Sequence, residues 1–254
     1  MAQNDSCDQV SSFVIRHCEG LDDLAQCVDL QKMIWGYADI DIVPLTSLVM
    51  ASETGGHILG AFDNDKIVGF VLGYVGLRRA ASYIHSQMLA VLPSYRDRGI
   101  GRQLKLRQRK ECLRNGLDLI EWTFDPLDVK NARFNIGRLG AIVRRFLPNL
   151  YGVTSSHLHN SLPTDRLVAE WHLASPRVKS ILAGHPPQQE ARGLVSFPAN
   201  IATIRTKDLA EARGIQDSLR SKLTDYLNFG YSVTGFKIEG SSAIYLLEEV
   251  SAPH

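Results

Sequence analysis

The fold is decided by the segment LAVLPSYRDRGIG, which occupies residues 89–101. It begins with an apolar run typical of a buried strand and ends with Gly99 and Gly101, where a helix is predicted over residues 99–115. Glycines let backbone amides point inward without obstruction, and the unpaired N–H groups of a helix start attract an anion. The segment therefore predicts a strand that leads directly into an anion-binding helix start.

Three arginines surround this turn: Arg96, Arg98 and Arg102. Guanidinium groups hold phosphates through paired hydrogen bonds, so two of these side chains would support a diphosphate that the backbone amides cradle. Short glycine motifs also occur by chance, and a tight turn with solvated arginines is the alternative interpretation.

Two other nucleotide-binding classes fit this sequence less well. Glu121 lies about twenty residues beyond the glycines, near the position of the ribose-binding acid of a dehydrogenase. However, Leu104 replaces the third glycine of that motif, and the turn follows a fourth predicted strand rather than the first. No Gly-x-x-x-x-Gly-Lys-Ser/Thr occurs, which excludes a P-loop.

Apolar periodicity predicts the elements around this segment. The predicted elements are a strand at 13–16, helices over 21–35 and after Pro44, a hairpin of 58–62 with 67–75, a strand ending near Leu92, the helix 99–115, a strand at 117–124, a helix at 129–139, a strand at 167–173, a strand at 194–197, a helix over 207–228 and a hairpin turning at 239–242. On the helix 99–115 we expect Ile100, Leu104, Cys112 and Leu113 to form the buried face. This order predicts a mixed sheet covered by helices rather than a uniform alternation.

Three regions follow from this order. We predict a flexible N-terminus at 1–12, one catalytic domain at 13–185, and a C-terminal strand-helix-hairpin extension at 186–254 that begins at a proline pair. The extension is expected either to pack on the domain or to form the interface of a homodimer.

Composition excludes several classes of function. The chain has 254 residues and a formal charge of +1, which gives no overall field for nucleic acid or an anionic membrane. Its four cysteines lack the spacing of a zinc site or a disulfide framework. No stretch approaches transmembrane length, and the N-terminus lacks a secretion signal. We therefore predict a cytoplasmic protein that binds no metal, nucleic acid or membrane.

The segment from Leu89 to Gly101 resembles the central motif of the GNAT acyltransferase superfamily, Arg/Gln-x-x-Gly-x-Gly/Ala after a strand. The resemblance implies an α/β (α+β) fold of GNAT type, with a mixed, mostly antiparallel sheet flanked by helices. It implies an enzyme whose co-substrate is acetyl-CoA or another acyl-CoA. The residues it implies for CoA are Arg96, Arg98, Gly99, Ile100, Gly101 and Arg102 at the pyrophosphate and Leu89, Ala90 and Val91 along the pantetheine arm.

Four shorter motifs resemble a subgroup of GNAT acyltransferases. They are WTFDPL at 122–127, RLGA at 138–141, NLYG at 149–152 and LPTDR at 162–166. Some members of that subgroup look like amino-acid N-acyltransferases, including N-succinyl transfer, so the implied acceptor is a small-molecule amine with a carboxylate. The acceptor candidates are Tyr83, Gln87, Phe124 and Arg166, and Arg138, Arg144 and Arg145 are further candidates to clamp the carboxylate.

The strand before the central segment carries a polar stripe. A period of two places Tyr83, His85 and Gln87 on one face, with Ile84 and Met88 on the other. Several GNAT enzymes place a histidine at the position of His85, and an imidazole with a pKa near 6.5 can accept the proton of an ammonium group. The alternative is a hydrogen-bonded sheet histidine at the edge of the core.

The general acid departs from the family pattern. Ile136 stands where many members carry the tyrosine that protonates the thiolate. Tyr151 is a candidate substitute, a packed turn residue is its alternative, and water is a third proton source. We expect the oxyanion donor to be a backbone N–H near Leu89 or Ala90, at a strand bulge.

The helix at 129–139 offers two further contacts to CoA. Family geometry implies that the Asn131 amide faces the pantetheine and that the Phe134 ring faces its apolar part. The alternatives are a helix cap for Asn131 and a core aromatic for Phe134.

Two hypotheses remain for the whole protein. One is an N-acyltransferase in which both substrates bind together and His85 is the base; the other is a non-catalytic acyl-CoA-binding module that lost its acid.

Overall fold

The computed structural model of the chain describes residues 13–78, 80–152, 162–188 and 190–249. In its N-terminal part the elements are β1 (Val14–His17), α1 (Gly20–Trp35), α2 (Leu45–Glu53), β2 (His57–Asp63), β3 (Lys66–Arg78), β4 (Ala81–Val91), α3 (Ile100–Arg114), β5 (Leu119–Phe124) and α4 (Val129–Ala132), which continues as the π-helical turn Arg133–Arg138. These bounds agree closely with the elements expected from periodicity.

The remaining elements complete the chain. They are β6 (Ile142–Leu147), β7 (Arg166–His172), α5 (Pro176–Leu182), β8 (Gly193–Pro198), α6 (Ile201–Lys207), α7 (Leu209–Asn228), β9 (Tyr231–Glu239) and β10 (Ser242–Glu249). The helix expected over 207–228 is α7, and α6 is a separate helix before it that the periodicity did not predict. Asp208 separates the two because it adopts an extended conformation and caps α7 by accepting from the Glu211 amide.

The described strands form one sheet in the order β1-β2-β3-β4-β5-β7-β6-β9-β10-β8. Neighbouring strands run antiparallel except β4 and β5, which are parallel. The sheet is thus mixed and mostly antiparallel, as expected. Among the described residues no single helix is long and apolar enough to span a membrane. The segments Gly20–Trp35 and Asp39–Glu53 reach that length and composition only when they are taken together, and a bend of 120° separates them.

Strands β4 and β5 separate soon after they meet. Their described ladder consists of two pairs, Ile84 with Ile120 and His85 with Glu121. Beyond these pairs β4 continues to Val91 along β3, so its other edge carries backbone groups without a strand partner. A V-shaped opening between parallel strands results, and its apex lies at residues 86 and 122.

A β-bulge in β4 corrects two expectations. Gly73 of β3 pairs with Ser86 while Leu72 pairs with Met88, so Gln87 is the extra residue of β4. We had expected the bulge at Leu89 or Ala90, and it lies earlier in the strand, at Gln87. Because an extra residue reverses the alternation of faces, Met88 lies on the face of His85 rather than on that of Ile84.

Helix α3 packs on the face of the sheet that carries Ile84 and Ser86. Its buried side chains are Ile100, Leu104, Lys105, Gln108 and Cys112. Leu113, which we had expected on this face, is 37% exposed. The polar residues that share its buried face break the simple apolar pattern.

The C-terminal strands extend the same sheet, since Val143 of β6 pairs with Val233 of β9. Polar contacts fix the covering helices: Arg220 pairs with the buried Asp165 at 2.8 Å, and Arg205 pairs with Asp125 at 2.8 Å. Tyr245 donates a hydrogen bond to the Pro126 carbonyl at 2.6 Å. Residues of two motifs, at 122–127 and 162–166, therefore anchor the extension to the sheet.

Candidate active site

The start of α3 has the features of an anion cradle. Gly99 adopts a left-handed conformation with φ 78°, and among the described residues no side chain caps this helix start. Gly101 has no positive φ, and a Cβ there would meet Leu89 and Val91 only at ordinary distances of 3.7 and 3.9 Å. The chain itself does not require a glycine at 101, so its small size fits a ligand that approaches the first-turn amides.

The three arginines of the turn lie around this cradle. Arg96 and Arg98 are exposed, and Arg102 is half-buried. Arg96 donates to the Val91 carbonyl at 3.3 Å, and the Arg98 guanidinium lies 5.0 Å from the centre of the Tyr95 ring. Tyr95 in turn donates to Asp63 at 2.5 Å, which ties the turn to the end of β2. These residues fit the pyrophosphate of CoA, and the unpaired edge of β4 fits the amides of its pantetheine arm.

Helix α4 and its π-helical continuation carry Asn131 and Phe134, the two further residues that the resemblance implies for CoA. The Asn131 side chain donates to Asp128 at 2.9 Å, and Asp128 caps the helix by accepting from the Asn131 amide. Phe134 packs against the core, and Ile136 is 1% exposed within it. Ile136 therefore supplies neither a proton nor a surface to the opening.

His85 lies on the face of the sheet opposite to α3, beside Glu121 of β5 and Tyr74 of β3. We call this the acceptor face. Burial lowers the pKa of its imidazole, against which the Glu121 charge and a side-chain hydrogen bond with Gln87 act to raise it. The imidazole is thus neutral over a wider pH range than a solvated histidine, as a base for an ammonium group requires.

Two buried carboxylates on adjacent strands extend this face. Glu121 of β5 and Glu170 of β7 are cross-strand partners, 2% and 5% exposed. Arg78 binds both oxygens of Glu121 at 2.5 and 2.7 Å, and Arg145 binds it at 2.8 Å. Arg145 also lies 3.6 Å from Glu170, which Arg144 binds closely. This group, which we call the arginine-glutamate network, links β3, β5, β6 and β7.

The network changes the role of several predicted residues. Arg144 and Arg145, expected to clamp an acceptor carboxylate, instead neutralise Glu170 and Glu121. Glu121 faces away from α3 and is held by Arg78, so it does not lie where a dehydrogenase binds ribose. Arg138 is exposed at the end of the π-helical turn and is not part of the network.

The other acceptor candidates divide between the two faces. Tyr83 lies with its hydroxyl 3.3 Å from Arg78, and Gln87 is exposed at the bulge beside His85. Phe124 is 3% exposed and packs in the core on the face of α3, so its assignment to the acceptor site is wrong. Side chains of a strand alternate between its faces, so Trp122 and Phe124 lie on the face opposite to that of Glu121.

A second group of side chains closes the acceptor side. The Tyr151 and Thr123 hydroxyls lie 2.9 Å apart, and the Arg166 guanidinium lies 5.3 Å from the centre of the Tyr151 ring. Tyr37, which stacks on Trp35 at the end of α1, is close enough to feel the charge of Arg166, although burial is the main cause of its raised pKa. The α1–α2 connection therefore comes near Arg166 on this face.

Comparisons with known proteins agree with this fold. Residues 25–135 match the model of the family described as Acetyltransferase (GNAT) family. Arabidopsis thaliana Naa50 in complex with a CoA bisubstrate analogue is 18% identical, with 63% of this chain and 97% of that chain covered and a TM-score of 0.50. The ribosomal-protein-S18-alanine N-acetyltransferase from Escherichia coli is 17% identical, with 65% and 96% covered and a TM-score of 0.50.

A third similar structure is yncA from Salmonella typhimurium, solved with its cofactor acetyl-CoA. It is 19% identical, with 65% of this chain and 96% of that chain covered and a TM-score of 0.50. No curated protein matches the chain. These likenesses to solved structures show the fold.

The fold, the cradle and the family match define an acyltransferase that takes its acyl group from CoA and transfers it to an amine. Residues 25–135 are a domain of the GNAT acetyltransferase family. The protein is thus an enzyme rather than a non-catalytic module. Among the described residues, no group of three His, Cys, Asp or Glu side chains is arranged to hold a metal ion.

Sequence analysis missed several residues of this site. Arg78 and Glu170 give no local signal, because their roles depend on which strands become neighbours. Lys105 and Ser86 were missed for another reason: on α3 and β4 they occupy positions whose pattern indicates burial, and a polar residue there is unusual. That mismatch was the available signal.

Proposed function

We propose that the protein transfers an acetyl or another short acyl group, including succinyl, from CoA to the amine of a small molecule that carries a carboxylate, such as an amino acid. The observation that supports this proposal is the charge of the acceptor face. Arg78, Arg144 and Arg145 face the carboxylates Glu121 and Glu170, which leaves one positive charge in excess. Arg166 lies beside Tyr151 on the same face, 5.3 Å from the centre of its ring. Such a surface favours an acceptor with a negative group.

The shape of the acceptor side favours a small acceptor. Tyr37 from the α1–α2 connection and Tyr151 from the β6–β7 connection lie near the same guanidinium of Arg166. The Arg78 side chain bridges from the end of β3 to the buried Glu121. A face lined by these bulky side chains suits an amino acid better than a folded protein.

The residues divide the reaction between the two faces. The first-turn amides of α3 with Arg96, Arg98 and Arg102 would hold the CoA phosphates, and the edge of β4 would hold the pantetheine. Bound acyl-CoA supplies the thioester. His85 accepts the proton of the acceptor ammonium group, directly or through water, and Gln87 orients the imidazole through its hydrogen bond. Tyr83 and Arg166 orient the acceptor.

A donor and acceptor screen tests this function. Acetyl-, succinyl- and longer acyl-CoAs would be combined with single amino acids, their amides, polyamines and short peptides, and thiol release would be measured. We expect release with free amino acids and at least tenfold less with the matching amides, which lack the carboxylate. Equal rates with amides, or a preference for polyamines or peptides, would reject the proposed acceptor class.

A further inference from the structure

Lys105 is a lysine in the core of the enzyme. It lies on α3, is 2% exposed, and its ammonium group points at the underside of the sheet. Nζ donates to the Ser86 hydroxyl at 3.0 Å and to the Gln108 side chain at 2.7 Å. It also lies 3.9 Å from the centre of the Trp122 ring. In the described part of the chain Lys105 forms no ion pair with a carboxylate.

The position of Lys105 coincides with the apex of the opening between β4 and β5. The last paired residues of these strands are His85 and Glu121. The next residue of each strand is Ser86 and Trp122, and Nζ contacts both side chains. The ammonium group therefore sits where the two parallel strands begin to separate, on the face that carries α3. His85 sits at the same level on the other face.

The surroundings of Lys105 keep its proton mobile. Burial lowers the pKa of its ammonium group to about 7, with Cys112 of α3 acting weakly in the opposite direction. The other titratable groups that feel its charge are His57 of β2 and His85 of β4, and the Trp171 ring of β7 lies 5.6 Å away. Near neutral pH such a lysine exchanges between ammonium and amine.

The reaction needs a proton donor for the departing thiolate. Acyl transfer from a thioester releases a thiolate, and Ile136, at the position where a tyrosine would donate, is buried in the core. Tyr151 is bonded to Thr123 on the opposite face. We propose that Lys105, acting through the Ser86 hydroxyl, supplies the proton that the departing CoA thiolate takes up. This inference rests on the proposed acyl transfer.

The proton balance of the step is closed by groups of this chain. The acceptor nitrogen bonds to the acyl carbon, the carbon–sulfur bond breaks, and its electron pair stays on sulfur. The sulfur takes the proton of the Ser86 hydroxyl, and Ser86 takes one from the Lys105 ammonium, which becomes a neutral amine. His85 holds the proton that the acceptor lost, and exchange with solvent restores both residues. Ser86 is thus the donor, and Lys105 is the residue that positions and recharges it.

The decisive experiment measures the acidity of the bound thiol rather than turnover. CoA is bound to the wild type, to Lys105→Met, to Ser86→Ala and to the control Lys110→Met, an exposed lysine on the same helix. The thiolate is followed by its ultraviolet absorbance as pH is raised. A nearby ammonium group lowers the pKa of a thiol, so Lys105→Met should raise the pKa of the bound thiol by about one unit or more. Ser86→Ala should raise it less, and Lys110→Met should leave it unchanged.

The outcomes separate this inference from the proposed function. If CoA binds and its thiol titrates identically in the wild type and Lys105→Met, the Lys105 proposal is wrong and the acyltransferase assignment stands. If the thiol shifts as expected but no amine is acylated, the proposed acceptor class fails alone. If the wild type binds no CoA, both fail. Calorimetric affinity for CoA within about threefold of wild type shows that Lys105→Met keeps its fold and its cofactor site.

Turnover gives a second, independent readout. Lys105→Met should lower kcat by about 10- to 100-fold with little change in the KM of the acceptor, because the acid acts during thiolate departure. The wild-type rate should fall on the alkaline side as Lys105 loses its proton, and this limb should be absent in the variant. An unchanged pH profile in Lys105→Met would contradict the relay.

Discussion

The two faces of strands β4 and β5 treat charge in opposite ways. On the acceptor face, Glu121 and Glu170 are buried but each carboxylate is bound by arginine. On the face of α3, Lys105 is buried among tryptophan, serine and glutamine side chains. Only the single layer of the sheet separates these environments. The charged groups of the acceptor face are paired and hold neighbouring strands together. On the α3 face, burial lowers the pKa of Lys105 so that its ammonium group can lose its proton.

This difference predicts which residues act in chemistry. A charge held by several partners resists a change of protonation, because its partners stabilise one state. Arg78 and Arg145 therefore suit a structural and orienting role. Burial without a carboxylate partner among the described residues lowers the pKa of the Lys105 ammonium group to about 7. Burial lowers the pKa of both His85 and Lys105, which lie on opposite faces at the same level of the sheet.

The largest effect is expected from His85, because it is the base on the acceptor face. His85→Ala should lower kcat by about 10²- to 10⁴-fold and remove the acid limb of the pH profile. Burial lowers the pKa of His85, so this limb should lie below the usual value of 6.5 in the wild type. His185→Ala, which removes an exposed histidine, is the matched control. A fully active His85→Ala enzyme would remove this face from the proton transfer.

The second prediction tests whether the arginine-glutamate network stabilises the fold. Glu121→Gln removes the charge that neutralises Arg78 and Arg145 and should lower the free energy of unfolding by about 3 kcal/mol, the low end for breaking a buried pair. Both arginines keep some contact with solvent, which limits the loss. Urea unfolding measures it. Glu239→Gln, which breaks an exposed pair with Lys237, should change stability by less than about 1 kcal/mol. Equal losses would show that the network is not a buried ion-pair cluster.

The sequence specified one of these faces better than the other. The cradle at 96–102 and the polar stripe at 83–87 were found from local signals, glycine spacing and a period of two. The bulge at Gln87 could not be found, because a period of two is unbroken in the sequence until a partner strand defines the register. The misplacement of Met88 followed directly from this.

Long-range pairing explains the other limits of sequence analysis. Arg144 and Arg145 were recognised as cations near the site, yet their partners are one and two strands away in the sheet. Phe124 was assigned from a motif that instead anchors the C-terminal extension, through Asp125 and the Pro126 carbonyl. Whether a motif binds a ligand or another part of its own chain depends on contacts that spacing does not encode.

The third prediction is a gain in the free energy of unfolding, whereas the second is a loss. Lys105→Met should raise the free energy of unfolding by about 1–3 kcal/mol at pH 7, because an apolar side chain replaces a buried cation without a carboxylate partner. Folding lowers the pKa of Lys105 from 10.5 to about 7, so between these values the unfolded chain binds more protons. Wild-type stability should therefore rise with pH across this window, and the advantage of Lys105→Met should shrink.

Urea unfolding at pH 7 and near pH 10 checks this sign, with Lys110→Met as the control on the exposed side of α3. A destabilised Lys105→Met protein at both pH values would mean that the hydrogen bonds to Ser86 and Gln108 outweigh the cost of burial. In that case the two faces would be alike, each stabilised by its buried charge.

The smallest expected effect concerns CoA binding alone and should leave binding of the acceptor unchanged. Arg98→Glu reverses one of three arginines at the cradle and should weaken CoA binding about tenfold, or about 1.4 kcal/mol, because the remaining amides and guanidinium groups persist. The acceptor KM at saturating acyl-CoA should not change, since Arg98 lies beyond the end of β4 and the acceptor face surrounds His85. Lys207→Glu, an exposed reversal at the end of α6, should alter neither value. If calorimetry shows unchanged CoA affinity in Arg98→Glu, the CoA phosphates do not bind at the start of α3.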